Sequence, residues 1–328
     1  MTLQRDRPSL GIIASELCRR PTDEGQRWWH LRRYVLAYAR VVGAHRVFAT
    51  ENTAEIVQAC YGQARDADSS LPKLTLGSLG PTTRGVVKLA AMVARKEIKR
   101  VLWFQDPGDL LVGRAENYAL LRNANLAGAH LLMNSAAHLW ALYQISSVGT
   151  PRTPYRTSPY DEGELRESVF LIAHDAEKPR MSRFAFQFRD VLAQFPRLMA
   201  TSGTLKHISK IQADYGSPAG SLRIEPVGAT PSMAHGPSGG DVVVADEIYD
   251  WYGLGGRAHR GQYVLHHVLF FADHRNSHPH EADIRVLLET CANPLHRVNL
   301  ILNSRMAEEW AQRYRHLPSN PGTRRRLK

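Results

Sequence analysis

The stretch SVFLIAHDAEK, residues 168–178, decides the fold of the second half of this chain. A short run dominated by apolar residues leads into a polar turn, and an amphipathic segment follows it. A buried strand that continues through a polar loop into a helix is the repeating unit of a parallel α/β sheet. The stretch therefore predicts a strand over 168–173, with His174 and Asp175 at its carboxyl end.

The same alternation of short apolar runs and amphipathic segments recurs along the whole chain. The predicted strands cover 9–14, 45–50, 73–76, 100–104 and 129–133 in the first half, and 168–173, 196–201, 222–226, 265–271 and 298–303 in the second. We therefore predict an α/β fold with two tandem Rossmann-like, or flavodoxin-like, domains. Each domain is expected to be a five-stranded parallel sheet flanked by helices.

The length of 328 residues exceeds that of one typical domain. A segment rich in Pro, Ser, Thr and Gly separates the two sets of strands and is typical of a linker. We predict a first domain over 1–145, a linker over 146–166, a second domain over 167–316 and a basic disordered tail over 317–328.

Short motifs recur in the same order in both halves, which predicts two copies of one domain. IIASE in the first half matches LIAHD in the second, LGPTTRGVV matches HGPSGGDVV, and LWFQDP matches LFFADH. The first copy lacks most of the residues that could carry chemistry: Ser15 and Glu16 correspond to His174 and Asp175, and Arg84 and Gly85 stand around the position of the Asp241 carboxylate. We predict that the first domain is a degenerate copy without a catalytic base.

The net charge of +11 is unevenly distributed. Residues 1–160 carry 21 Lys and Arg against 12 Asp and Glu, whereas residues 161–328 carry 21 against 19. A basic surface attracts anionic metabolites or nucleic acid. The Arg- and Trp-containing segment 26–40 leaves nucleic acid open, but its apolar residues recur near helical spacing and favour a packed helix.

Three cysteines without a CxxC motif provide neither a disulfide framework nor a thiolate metal site. The sequence also contains no signal-peptide pattern and no run of 18 apolar residues. We expect a cytoplasmic protein that does not bind membranes.

The polar clusters of the second half directly follow its predicted strands, so the fold is expected to gather them in one crevice. Residues 201–204 form a hydroxyl-rich turn at a predicted helix start, where an anion such as phosphate is favoured, with Lys178 as its counter-charge. The turn HGPSGGD, 235–241, frees backbone amides and brings Asp241 to the head of the next helix. Mutual repulsion between carboxylates near an anion raises their pKa values and suits one of them to remove a proton from carbon.

Each of these motifs also has a purely structural interpretation. The stretch FFADHRNSHPHEAD, 270–283, offers histidines and aspartates to a metal, but its His-Pro-His spacing is not a standard zinc pattern. Asp241 taken alone is compatible with a helix cap, and Lys178 with a solvated helix face.

Five ordered motifs of the second half resemble those of the methylglyoxal synthase family, whose members convert dihydroxyacetone phosphate to methylglyoxal and inorganic phosphate. The motifs are HDAEK (174–178), TSGT (201–204), GPSGGD (236–241), FFAD with PHEAD (270–283) and LNSRMAEE (302–309). The chain departs from the family's TGTTG turn, which is TSGTL here, and it carries an insertion near 249–261.

The resemblance implies that Asp241 is the base, that His280 polarises the enediolate oxygens, and that Asp273, Asp283 and Asp175 form a carboxylate shell. It further implies that the substrate phosphate is held by Lys178, Thr201, Ser202, Thr204, Gly236 and His174. A small phosphorylated substrate, a homo-oligomer and no metal or organic cofactor are expected. The alternative is a non-catalytic binding or regulatory protein that recognises a phosphorylated metabolite or nucleotide.

Overall fold

The computed structural model describes residues 7–19, 30–105, 115–148, 166–214, 222–227, 240–252, 264–273 and 281–315. These residues form two compact units, one within 1–161 and one within 162–328. Most of the predicted linker, 149–165, and the whole of the predicted tail lie outside the described residues.

The first unit contains a five-stranded parallel sheet with the strand order β3-β2-β1-β4-β5. Its strands are β1 (Ser9–Ala14), β2 (Arg46–Ala49), β3 (Thr75–Ser78), β4 (Arg100–Phe104) and β5 (His130–Met133). Its helices are α1 (Leu31–Ala37), α2 (Ala39–Gly43), α3 (Glu51–Ala67), α4 (Thr82–Ala94), α5 (Ala115–Ala127) and α6 (Ser135–Val148).

The second unit contains a parallel sheet with the order β8-β7-β6-β9-β10, which is the same arrangement of first to fifth strand. Its strands are β6 (Arg166–Ala173), β7 (Arg197–Ala200), β8 (Glu225–Pro226), β9 (Val264–Phe271) and β10 (Val298–Ile301). Its helices are α7 (Lys178–Gln187), α8 (Arg189–Leu192), α9 (Ser202–Asp214), α10 (Gly240–Tyr252), α11 (Glu281–Ala292) and α12 (Ser304–Arg315).

The predicted fold class is confirmed, and each predicted strand overlaps one that the structure contains. β3 begins two residues later than predicted, and β8 is reduced to Glu225–Pro226. Proline lacks the N–H that a sheet ladder needs, so it suits this short strand at the sheet edge. The central strands are apolar on both faces because helices cover both faces of a parallel sheet.

The two units also share a detail of helix packing. The helix after the first strand breaks at Tyr38 in one unit and at Phe188 in the other, and a short helix follows each break. The ring centroids of Tyr34 and Tyr38 lie 4.9 Å apart, and those of Phe184 and Phe188 lie 5.1 Å apart. The two units therefore share the order of their strands and also an aromatic contact at the equivalent helix break.

The parallel arrangement determines where polar residues meet. β6 pairs with both β7 and β9, so the carboxyl ends of these three strands lie side by side. Among the described helices, none has the length and apolar character needed to span a membrane.

Candidate active site

The carboxyl edge of the second sheet brings several predicted site residues together. His174 directly follows β6, Thr201 follows β7, and Asp273 lies two residues after β9. The crevice beyond the carboxyl ends of parallel strands is where α/β proteins bind ligands.

His174 and Asp273 are joined by a hydrogen bond between neighbouring strand ends. The backbone N–H of Asp273 donates to Nδ1 of His174 over 2.9 Å. Because Nδ1 accepts, the neutral imidazole carries its proton on Nε2. The ring also meets Phe270 edge-on, with centroids 5.0 Å apart. These contacts fix the ring and leave Nε2 as its donor atom.

Thr201 and Thr204 connect the end of β6 to the start of α9. The Thr204 hydroxyl accepts a hydrogen bond from the Ala173 backbone N–H over 3.1 Å, and the two threonine hydroxyls are 3.0 Å apart. Thr204 is fully buried, whereas Ser202, the first residue of α9, is exposed. The Thr204 hydroxyl therefore stabilises the loop, and Ser202 is accessible from solvent.

Lys178 places its ammonium at the start of α9. The ammonium donates a hydrogen bond to the Asp175 carboxylate. A Cβ atom built on Gly203 would lie only 2.7 Å from Nζ of Lys178. The hydrogen bond and charge of Lys178 lower the pKa of Asp175, and His207 and His174 add to this effect. An ammonium beside the positive end of a helix creates a local field that favours an anion.

The start of α10 lies against the same turn. A Cβ built on Gly240, the first residue of α10, would be 2.7 Å from Cγ2 of Thr201. Asp241 follows in the first turn of this helix and is half-buried. The starts of α9 and α10 therefore both lie near Thr201. The Lys178 ammonium lies at the first of these helix starts, and Asp241 lies in the first turn of the second.

The remaining predicted residues are less closely connected to this cluster. Asp283 lies in the first turn of α11, which packs beside α10, and is half-buried. His280 and Gly236 lie outside the described residues, as does the insertion beyond Tyr252. Within the described ranges, no group of three or more His, Cys, Asp or Glu side chains is arranged to hold a metal ion.

The first unit has the same threonine turn, but no carboxylate follows the glycine that packs on it. The hydroxyls of Thr50 and Thr53 lie 2.9 Å apart, and a Cβ on Gly85 would be 2.8 Å from Cγ2 of Thr50. The residue after Gly85 is the buried Val86, whereas the residue after Gly240 is Asp241. The threonine pair and the packed glycine therefore belong to the shared fold, and the carboxylate is particular to the second unit.

Sequence reasoning missed the contribution of two residues near this edge. It counted Gly203 only as part of a hydroxyl-rich turn, although the missing side chain makes room for Lys178. It also did not identify His207, on α9, whose charge acts on Asp175. A glycine within the first turn of a predicted helix was the available signal for the first, because glycine is a poor helix former.

The fold and this edge define the class: parallel α/β proteins with polar residues at the carboxyl ends of their strands. A methylglyoxal synthase of Clostridium beijerinckii is 33% identical over 140 residues, which cover 43% of this chain and 93% of that protein. One from Thermus thermophilus is 32% identical over 142 residues, covering 43% and 90%. This chain belongs to the methylglyoxal synthase family, as its motifs predicted.

Further comparisons add little to this assignment. A methylglyoxal synthase of Burkholderia multivorans is 33% identical over 135 residues, covering 41% of this chain and 82% of that protein. A crystal structure of methylglyoxal synthase from Elizabethkingia anophelis NUHP1 covers 44% of this chain and 77% of its own at 24% identity, with a TM-score of 0.29. No family model matches the chain.

Proposed function

We propose that this protein is a lyase that converts dihydroxyacetone phosphate to methylglyoxal and inorganic phosphate, with the reaction in the second unit. The relatives that support the proposal are named methylglyoxal synthase, and this chain covers about nine-tenths of the first two. The alignments are about as long as one unit, so the proposal concerns one unit and not the whole chain.

The observation that carries the proposal is that the Lys178 ammonium and two helix starts lie near the Thr201 turn, with Asp241 in the first turn of α10. The ammonium of Lys178 stands at the start of α9, and the start of α10 touches Thr201. A phosphate monoester would neutralise the ammonium and both helix starts. A substrate anchored there has its carbon chain within the first turns of the helices, near Asp241.

The proposed chemistry uses one proton transfer and one elimination. The Asp241 carboxylate takes a proton from the carbon that carries the hydroxyl, which forms an enediolate. The Nε2–H of His174, and His280, would stabilise charge on its oxygens. The electrons of the enediolate then form a carbon–carbon double bond as the C–O bond to phosphate breaks. The resulting enol tautomerises to methylglyoxal.

The second candidate is a protein that binds a phosphorylated metabolite without converting it. The substituted turn favours this candidate, because Gly203 supplies no hydroxyl where the family's motif has a threonine. In the described part of the first unit, the glycine packed on the threonine turn is followed by the buried Val86, so this turn has no carboxylate at the position of the proposed base.

Incubation of the pure protein with dihydroxyacetone phosphate, with phosphate release as the readout, tests the proposal. We expect turnover by the wild type and a loss of at least about 100-fold in the Asp241→Asn variant, because the amide is no base. Asp250→Asn, at the far end of the same helix, is the matched control and should retain full activity. Equal turnover in Asp241→Asn would reject the assigned base, and phosphate binding without any turnover would favour the second candidate.

A further inference from the structure

We infer that Gly203 is a positioning residue, whose missing side chain holds open the space through which Lys178 reaches the start of α9. The inference rests on the proposed function, because it assigns to Lys178 the recognition of a phosphate group. It identifies a specificity determinant at a position where the chain departs from the family's TGTTG turn.

The geometry at Gly203 leaves no room for any side chain beside Lys178. A Cβ built on Gly203 would lie 2.7 Å from Nζ and 3.2 Å from Cε of Lys178. Carbon atoms do not approach a side chain this closely, so an alanine would push the lysine tip away. The lysine is flexible at its end, and the displacement would cost the fold little.

The fold itself gains little from this arrangement. Glycine is a poor residue within a helix, and an ammonium at a helix start repels the helix dipole. The first unit, which has the same threonine turn, carries Glu51 and Asn52 directly after Thr50. Glu51 is an acid in the first turn, as helix stability favours, whereas the second unit has Ser202 and Gly203 there.

The arrangement becomes favourable when an anion occupies the space between the ammonium and the helix start. The Asp175 carboxylate accepts a hydrogen bond from Nζ and so holds the ammonium in place. The dianion of a phosphate monoester carries enough charge to satisfy the ammonium and the free N–H groups together. Gly203 therefore serves ligand recognition through Lys178.

The test is a double-mutant cycle that measures the Kd of inorganic phosphate by isothermal titration calorimetry. Gly203→Ala and Lys178→Met should each weaken binding by about tenfold, which is the effect of losing one charge-assisted hydrogen bond. The double variant should be no weaker than Lys178→Met alone, because Gly203 acts through Lys178. Gly62→Ala is the matched control, since Gly62 also lies in a helix and a Cβ there would meet nothing within 4 Å.

Two further readouts separate positioning from structural damage. The melting temperature of Gly203→Ala should equal or exceed that of the wild type, because alanine is the better helix former. KM for dihydroxyacetone phosphate should rise with a smaller change in kcat, since the base is untouched.

The outcomes distinguish this inference from the proposed function. Unchanged phosphate binding by Gly203→Ala, or equal further loss in the Lys178→Met background, would overturn the inference alone. A wild type that binds phosphate but releases none from dihydroxyacetone phosphate would overturn the lyase and leave the assignment of Gly203 to be decided by the binding cycle. A wild type that does not bind phosphate would overturn the inference, whereas the lyase is decided by the turnover of dihydroxyacetone phosphate.

Discussion

At the scale of single residues, the ion pair of Lys178 and Asp175 links anion recognition to a carboxylate. The side chain of Asp175 is 93% exposed, and that of Lys178 is 17% exposed. Solvent screens a pair with one member so exposed, so its contribution to folding stability is small. Its measurable effect is on the titration of Asp175.

We predict that Lys178→Met raises the pKa of Asp175 towards its ordinary value. The hydrogen bond and the charge of Lys178 are the main causes of its lowered pKa. A carboxyl group whose pKa is lower in the folded protein stabilises the fold when the pH is above the pKa of the unfolded chain. This contribution is lost as pH falls below about 4. Carboxyl-carbon NMR shifts followed from pH 6 to 2 would measure the change. Asp190, whose pKa is lowered by Arg315, should titrate as in the wild type.

The two units also differ in which residues accompany the same threonine contact. Thr50–Thr53 and Thr201–Thr204 have equivalent hydroxyl contacts, although the glycine packed on Thr50 is followed by Val86 and the glycine packed on Thr201 is followed by Asp241. Because the threonine contact is also present in the unit that has no carboxylate after the packed glycine, we attribute the contact to the fold. The predicted phosphate contacts of Thr201 and Thr204 therefore have a structural explanation.

At the scale of elements, Thr204 connects α9 to β6. We predict that Thr204→Val destabilises the protein by about 1–3 kcal/mol, because it leaves the buried N–H of Ala173 without its acceptor. Thr204→Ser keeps the hydroxyl and should lose about 1 kcal/mol from the missing methyl group. Urea denaturation of both variants would measure the difference, and equal losses would show that the hydrogen bond is unimportant.

A second connection between elements joins β6, β9, β10 and α12. The Tyr314 hydroxyl donates to Glu167 over 2.9 Å and lies 3.0 Å from Nε2 of His267. On the other side of the same ring, Nδ1 of His267 lies 2.9 Å from the Asn299 amide nitrogen. His267 is fully buried, so its hydrogen bonds are formed within the protein.

We predict that Tyr314→Phe lowers the free energy of unfolding by about 1–3 kcal/mol, since one hydroxyl serves two polar partners in a buried network. The change removes no apolar contact. Tyr249→Phe, on the exposed Tyr249, is the control and should change stability by less than about 0.5 kcal/mol. Urea midpoints would report both, and equal stabilities would contradict the role of the network.

At the scale of the whole molecule, the buried His266 makes stability depend on pH. Burial lowers the pKa of His266 to about 3, with further contributions from Arg197, His267 and His296. The unfolded chain binds a proton near pH 6.5 and the folded protein does not, so stability is complete above pH 6.5 and falls as pH drops towards 3. The slope is about 1.4 kcal/mol per pH unit for one proton.

Replacement of His266 by leucine should reduce the slope of the free energy of unfolding against pH by the amount that corresponds to about one proton. His266 is bonded through Nδ1 to the Ser168 hydroxyl over 2.6 Å, so Ser168→Ala is combined with His266→Leu to leave no orphaned hydroxyl. Urea midpoints between pH 7 and 4 would measure the slope. His207→Gln, at an exposed position on α9, is the control for a general loss of one histidine. An unchanged slope in the double variant would contradict the assignment.

The fold class, the family and the approximate location of the strands in the described residues can be predicted from the sequence alone. Alternation of apolar runs with amphipathic segments is a local property, and parallel strands with two buried faces require it. The motifs after the strands could also be recognised without coordinates, because the fold always brings strand ends to one edge. The order of the strands and the buried partners of His266 and His267 could not be recognised in this way.

Which groups are in contact depends on the packing of elements that are distant in sequence. The Lys178 ammonium meets the start of α9 because Gly203 has no side chain, and α10 meets Thr201 because Gly240 has none. These contacts join residues 25 and 39 positions apart in sequence. The sequence gives only the order of glycines and charged residues along the chain. The electrostatic field at a helix start depends on distances of a few ångströms between separate elements. Close packing in the folded protein sets those distances, and a local sequence pattern does not predict this packing.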